Sequence, residues 1–247
     1  MAVDRDAIIR SVYSGRAVKS WADASPGDKL WGRPDVPHDD YNPDAARKLL
    51  ASLGFTDRDR DGTLEDADGH PVSFTLNVST NSAAVVATGN FIRDDLDKVG
   101  IKVTLAPIDF NSLTASVNQN HQYDAVVMGL SAGRPEVPSV RVWQSTGLHP
   151  WQRPLAQPLS PEQQRVDELA RQIVGSTDYE ARKRWLLELD TIVNQQAWVI
   201  WLPVTIVAKP VRNGFGNVHP TVLSNSASAI IWNAEEFFVK PQGRATN

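Results

Sequence analysis

Cysteine is absent from all 247 residues. That excludes disulfide staples, thiolate metal sites and a cysteine nucleophile together, while leaving the cellular compartment open. Histidine is scarce. His38, His70, His121, His149 and His219 stand singly, without the short spacings that zinc ligands need. No Gly-x-Ser-x-Gly elbow, P-loop or dinucleotide fingerprint occurs, so nothing local points to hydrolase, nucleotide or hydride chemistry. Basic excess is missing as well. The formal net charge is −4 and the charges are scattered, so no footprint for nucleic acid or an anionic membrane is present. Apolar runs stay well short of the roughly 20 residues that cross a bilayer. Residues 1–15 lack the charged-then-apolar pattern of a secretion signal, so for a secreted protein the address is expected outside these residues.

What is present is an ordinary globular composition, 41% hydrophobic and 22% charged, which suffices for one large domain or two small ones. Ile8, Ile9 and Val12 fall at helical spacing and Gly15 stops them. Residues 16–41 hold Pro26, Gly27, Gly32, Pro34 and Pro37 among polar side chains and read as a long irregular loop, functional or packed on something. Asn42 and Pro43 open a helix with Ala46, Leu49, Leu50 and Leu53 on one stripe, ended by Gly54. Residues 72–78 alternate as a half-buried strand. A helix over 83–99 turns Phe91, Ile92, Leu96 and Val99 inward. Ile101, Val103 and Leu105 then alternate as a strand closed by Pro107, a short helix spans 109–119, and 123–128 form a buried strand. This order predicts an α/β sheet.

Residues 129–159 are loop-like. Ser160-Pro161-Glu162-Gln163 is a capping box launching a helix with Val166, Leu169, Ala170 and Ile173 as its core face. Asp178 caps a second helix, with Ala181, Trp185, Leu189, Ile192 and Val193 inward. Residues 198–207 read as a strand. The remainder ends in an apolar cluster of Ile230, Ile231, Trp232, Phe237 and Phe238.

Several segments, in this order and spacing, resemble one family. Residues 2–17 are similar to a helix of the form A-I-D-R-x-x-I followed by G-x-A. Tyr41-Asn42-Pro43 through Leu49-Leu50, closing on Gly54-Phe55, resembles a Y-D-P-x-x-A-x-x-L-L-x-x-x-G-F helix. Residues 57–66 look like the acidic loop many members carry before the next strand. Leu96-Asp97-Lys98-Val99-Gly100-Ile101 resembles an L-x-x-I-G-I turn, and Tyr123-Asp124-Ala125 with Gly129 a Y-D-A-x-x-x-G strand. The family is the bacterial extracellular solute-binding proteins, family 5, whose members bind oligopeptides, dipeptides, nickel complexes and some sugars.

The resemblance implies one lobe of a type II periplasmic binding protein-like fold, α/β, with a mixed sheet flanked by helices. Family members are roughly twice this length and close two lobes on a ligand. Residues 1–207 are then the C-terminal ligand-binding lobe, and residues 208–247 a return segment that completes the missing N-terminal lobe. Left without that lobe, the apolar cluster of the return segment would fold back or drive self-association.

By the same resemblance, ligand contacts are expected in the loop after the Tyr-Asp strand, here Leu130, Ser131 and Arg134, and at Phe110. Peptide-binding members place an aromatic just after the glycine and an acid a few residues on, to pair the peptide ammonium. Leu130 and Gly133 stand there instead, which argues against a standard free-amine peptide. Arg134 offers a forked donor suited to carboxylate or phosphate, and its plain alternative is a solvated loop arginine. For Phe110 the alternative is core packing. Trp143 and Trp151 lie in a Trp-rich loop with His149 and suit either ligand stacking or lobe packing. Asp57, Asp59, Asp61 and Gly62 fit the first half of an EF-hand, with Asp68 at the twelfth position. Asp in place of the bidentate Glu, and the flanking Arg58 and Arg60, favour a polar turn over a calcium site.

The expected function is the extracytoplasmic solute-binding component of an ABC importer, periplasmic or extracellular, free or anchored as a lipoprotein. It would capture an oligopeptide or similar small solute and deliver it to membrane permease subunits. No cofactor, metal, catalysis or nucleic-acid partner is expected. A peptide or signal sensor on the same fold is the first alternative, and a hydrolase or transferase on an α/β scaffold the second.

Overall fold

The computed structural model describes residues 1–33, 35–129, 140–147, 158–206, 208, 210–219 and 233–240. Helix α1 (Arg5–Ser11) is capped by Asp4, whose carboxylate accepts the Ala7 N–H at 2.9 Å. Helix α2 (Pro43–Ser52) starts as its sequence dictates, with Asn42 Oδ1 accepting the Ala45 N–H at 2.9 Å. Its stripe differs from expectation. Ala46 is buried, but Leu49 and Leu53 are 48% and 65% exposed, so the apolar periodicity marks a face that nothing described covers.

Strand β2 (Ser73–Ser79) leads into helix α3 (Ala83–Asp97), strand β3 (Lys102–Ile108), helix α4 (Phe110–Ala115) and strand β4 (Ala125–Val127). The three strands pair in parallel in the order β3-β2-β4. Pro107 lies within β3 instead of closing it, which β3's position at an end of that sheet permits. α3 packs on the sheet through Val85, Val86, Ile92 and Leu96 around a core of Leu76, Val78, Val103 and Val127. Close approach is possible at Gly89, where a Cβ would lie 2.8 Å from both Leu105 and Val78 side-chain carbons. α4 runs on into one π-helical turn, Ser116–Asn120, which His121 ends in a left-handed conformation (φ 52°).

A second core surrounds helices α5 (Pro161–Gly175) and α6 (Tyr179–Gln195). Val166, Leu169, Ala170 and Ile173 of α5 pack with Leu186, Leu189 and Val193 of α6, together with Trp31, Val140 and Trp143. Both expected caps form, at Ser160 and Asp178. The box at Ser160 is only half made. Gln163 turns its amide to the Trp143 carbonyl (2.9 Å) and Asp167 (3.1 Å), tying the 3₁₀ turn Val140–Trp143 to α5.

The stretch expected to be a strand over 198–207 is mostly irregular. Ala197 leaves α6 with φ 49°, Trp198, Val199 and Trp201 turn into the helical core, and Leu202 turns into the sheet core. Adjacent residues thus bridge the two cores, and regular pairing begins only at β5 (Val204–Thr205). β5 pairs antiparallel with β1 (Ala17–Val18), and β6 (Phe215–Gly216) pairs with β7 (Phe238–Val239). Among the described residues the antiparallel ladders are these two ribbons, with isolated antiparallel bridges at Thr56–Glu65 and Glu65–Pro71, while the three-stranded sheet is parallel throughout.

The long loop between β1 and α2 is packed, not free. Trp31 and Val36 are buried, and Trp31 joins the α5–α6 core. Trp21 stacks on His38 with ring centroids 4.1 Å apart, and the Arg5 guanidinium lies 4.3 Å over the Trp21 ring.

Candidate functional site

The parallel strands end within one residue of one another. Ser79 of β2 is opposite Ile108 of β3, and Val78 is opposite Val127 of β4. Thr80, Asp109 and Met128 follow at one edge, with Asn81, Phe110 and Gly129 next. Parallel α/β sheets present their ligand-contacting groups at this carboxyl edge, where strands hand over to loops and helix starts.

Each turn at the edge is held by its own hydrogen bonds. The Thr80 N–H donates to the Ile108 carbonyl at 2.9 Å, joining the first two turns. Ser82 caps α3 by accepting the Val85 N–H at 3.4 Å. Asp109 caps α4, accepting the Ser112 hydroxyl and the N–H groups of Asn111 and Ser112, both at 3.0 Å. The Ser112 hydroxyl, then these amides, hold the Asp109 carboxyl below its usual range. Asp109 is thus committed to capping.

Phe110, the first residue of α4, is 47% exposed. Core packing, the plain alternative for this side chain, is not what the structure has, and its ring is open at the carboxyl edge. Trp143 is placed otherwise. It is 3% exposed, inside the helical core, and meets Trp201 edge-on at 6.0 Å and 69°. Of the two, only Trp143 lies in a core. Leu130, Ser131, Arg134 and Trp151 lie outside the described residues, as do His149 and the apolar residues Ile230, Ile231 and Trp232.

Thr80 and Asn81, both exposed at the same edge, were not singled out from sequence. The usable signal was their position between a strand and the cap Ser82.

In the acidic loop, oxygens of Asp57, Asp59, Asp61 and Glu65 lie within 4.8 Å of one another. Glu65, not Asp68, completes this group. The antiparallel bridge Thr56–Glu65 folds position 65 back over the loop, while Asp68 joins Asp66 and His70 instead. The carboxylates accept the loop's own amides: Asp57 from Gly62 (3.1 Å), Asp61 from Thr63 (2.7 Å) and Glu65 from Arg58 (2.8 Å).

The model of the bacterial extracellular solute-binding proteins, family 5 (middle region), matches residues 1–149. A probable ABC transporter-binding protein of Deinococcus radiodurans is 31% identical over 138 residues, 54% of this chain and 23% of that protein. The oligopeptide-binding protein AppA of Bacillus subtilis is 33% identical over 134 residues, 53% of this chain and 24% of AppA. The structure of AppA in complex with a nonapeptide superposes with a TM-score of 0.74 at 18% identity, over 96% of this chain and 45% of AppA. NikA from Brucella suis, in complex with Fe(III)-EDTA, superposes with a TM-score of 0.73 at 24% identity, over 97% of this chain and 46% of NikA. The chain thus spans less than half the length of these solved structures.

Proposed function

As the chain belongs to the bacterial extracellular solute-binding proteins, family 5, we propose that it forms one lobe of a two-lobed receptor. That receptor captures an oligopeptide or similar small solute and delivers it to the permease of an ABC importer. The observation carrying this reading is the exposed ring of Phe110 at the carboxyl edge of a parallel sheet, on a fold shared with a nonapeptide-bound protein. An exposed aromatic on a rigid helix start gives apolar contact area to a solute, and the neighbouring Thr80 and Asn81 side chains offer polar contacts that orient it. Leu130, Ser131, Arg134 and Trp151 are proposed as further contacts. Closure of a second lobe would bury the solute and create the form that a permease recognises.

The test is a thermal-shift screen of the full-length protein against peptide, oligosaccharide and metal-chelate panels. A member of one panel should raise the melting temperature, and Phe110→Ala should weaken that ligand by roughly tenfold while the unliganded protein melts as before. If no panel member shifts the melt, the proposal fails.

A further inference from the structure

Charge is spread unevenly over the three-stranded sheet and its helices. In a chain of which 22% is charged, residues 71–92 contain no ionisable side chain and residues 103–120 contain only Asp109. Residues 125–129 add none. These stretches carry the carboxyl ends of β2, β3 and β4 and the starts of α3 and α4. The charges of the same unit gather at its opposite end. Asp94, Asp97 and Lys98 lie around the end of α3, Lys102 opens β3, and Asp124 immediately precedes β4.

The single charge at the carboxyl edge is used within its own turn. Asp109 Oδ1 accepts the Asn111 and Ser112 amides and Oδ2 accepts the Ser112 hydroxyl, so both carboxylate oxygens are engaged. What remains free there is neutral. Thr80, Asn81 and Asn111 are exposed, and their side chains bond to no other described residue; only their backbone groups and that of Phe110 take part in the turns. The bond from the Thr80 N–H to the Ile108 carbonyl, 2.9 Å, holds the two turns side by side. An amide side chain both donates and accepts, as does a hydroxyl, so these groups suit uncharged polar partners. The exposed Phe110 ring adds an apolar face. An ionised solute group closed in against this wall would lose water and meet no counter-charge, which is costly.

We infer that Thr80, Asn81, Phe110 and Asn111 form a charge-excluding subsite, which takes an uncharged stretch of the solute bearing hydroxyl or amide groups. This rests on the two-lobed reading above and narrows it. A sugar chain and the interior of a peptide share that chemistry; free peptide termini and metal chelates do not. Asn81 and Asn111 set specificity through hydrogen bonds to neutral groups, and Phe110 contributes by stacking. Binding at this wall is insensitive to salt, because no ion pair is formed there to be screened.

The experiment is calorimetry on the full-length protein with a linear glucose tetrasaccharide, an uncharged nonapeptide acetylated and amidated at its ends, the same nonapeptide with free ends, and ferric EDTA. Wild type is compared with Asn81→Asp and Asn81→Lys, and with Asn111→Asp and Asn111→Lys as a second pair. All four variants change exposed positions and should melt, unliganded, as wild type does. The tetrasaccharide or the blocked nonapeptide should bind wild type, with an affinity that changes less than about twofold between about 50 and about 500 mM salt. Which of the two binds identifies the source of the neutral groups. Against that probe the aspartate and the lysine variants should both weaken binding, by at least about fivefold, since either charge is left facing a neutral partner. A solute that brings a charge to this wall would instead split each pair, one variant tightening and the other weakening. That result, unchanged affinity in all four variants, or a wild type that binds only the free-ended nonapeptide or the chelate overturns the inference while leaving the two-lobed reading intact. If no probe binds wild type, the two-lobed reading fails and the subsite with it.

Discussion

The carboxylate of Asp124 accepts the backbone N–H of Thr75 at 2.8 Å, one step before the ladder between β2 and β4 begins at Leu76 and Ala125. A side chain thus continues a ladder that the backbone has not yet started. This gives the Tyr-Asp pair ahead of β4 a physical role: the aspartate pins the entry of a strand only three residues long, whose exit leads to the carboxyl edge. Asp124→Ala should cost about 1 kcal/mol in urea unfolding, since the bond is solvent-exposed, and should speed exchange of the β4 amides. Asp124→Asn keeps an acceptor oxygen and should cost less; equal losses in the two variants would show that the bond contributes nothing.

Gly89 sets how closely α3 approaches the sheet. Gly89→Ala gains helix propensity of about 1 kcal/mol but must displace Leu105 and Val78 side chains, so the two effects should nearly cancel. Gly89→Val adds branches to the same contact and should destabilise by about 2–3 kcal/mol. Melting curves of the two variants check this. A valine variant as stable as wild type would mean that the helix can shift outward freely.

Arg33 and Asp190 should behave as a unit. Arg33→Ala leaves Asp190 buried without its only ion-pair partner among the described residues and should cost about 3–5 kcal/mol. Replacing both with apolar residues of similar volume, Arg33→Met with Asp190→Leu, should recover most of that loss. A double-mutant cycle reads the coupling directly; additive losses would show that the two side chains act independently.

The 247-residue chain alone should bind solutes weakly. It spans 45% of the nonapeptide-bound relative, and burial of a cleft ligand normally needs both walls. Calorimetry with a nonapeptide should give no binding tighter than about 100 μM. A nanomolar signal would mean that this lobe carries the whole site.

How much of this was legible in the sequence depends on the range of the interaction. Caps at Asn42, Ser160 and Asp178 read correctly, because an N-cap bonds its own chain two or three residues on. The buried face of α5 read correctly and that of α6 in part, since the two helices pack on each other along apolar stripes, but Leu186 and Asp190 of α6 are buried as well. Leu49 and Leu53 misled for the complementary reason: periodicity locates an apolar face but not what covers it. Residues 198–203 carry strand-forming side chains, yet two cores compete for them and the ladder is lost. The Arg33–Asp190 pair spans 157 positions, and no local pattern announces it. At the candidate site, Phe110 was put forward through the family resemblance, whereas Thr80 and Asn81 become visible as candidates only once the strands are aligned.

The central claim is that the intact protein holds a solute between two lobes. Native mass spectrometry of the full-length protein purified from its own host, followed by denaturation and analysis of what is released, tests it most directly. The account predicts a one-to-one complex that releases a peptide or comparable small solute, with occupancy falling in Phe110→Ala. A full-length protein that carries no solute as isolated, and takes up none from peptide, oligosaccharide or metal-chelate mixtures, would contradict it.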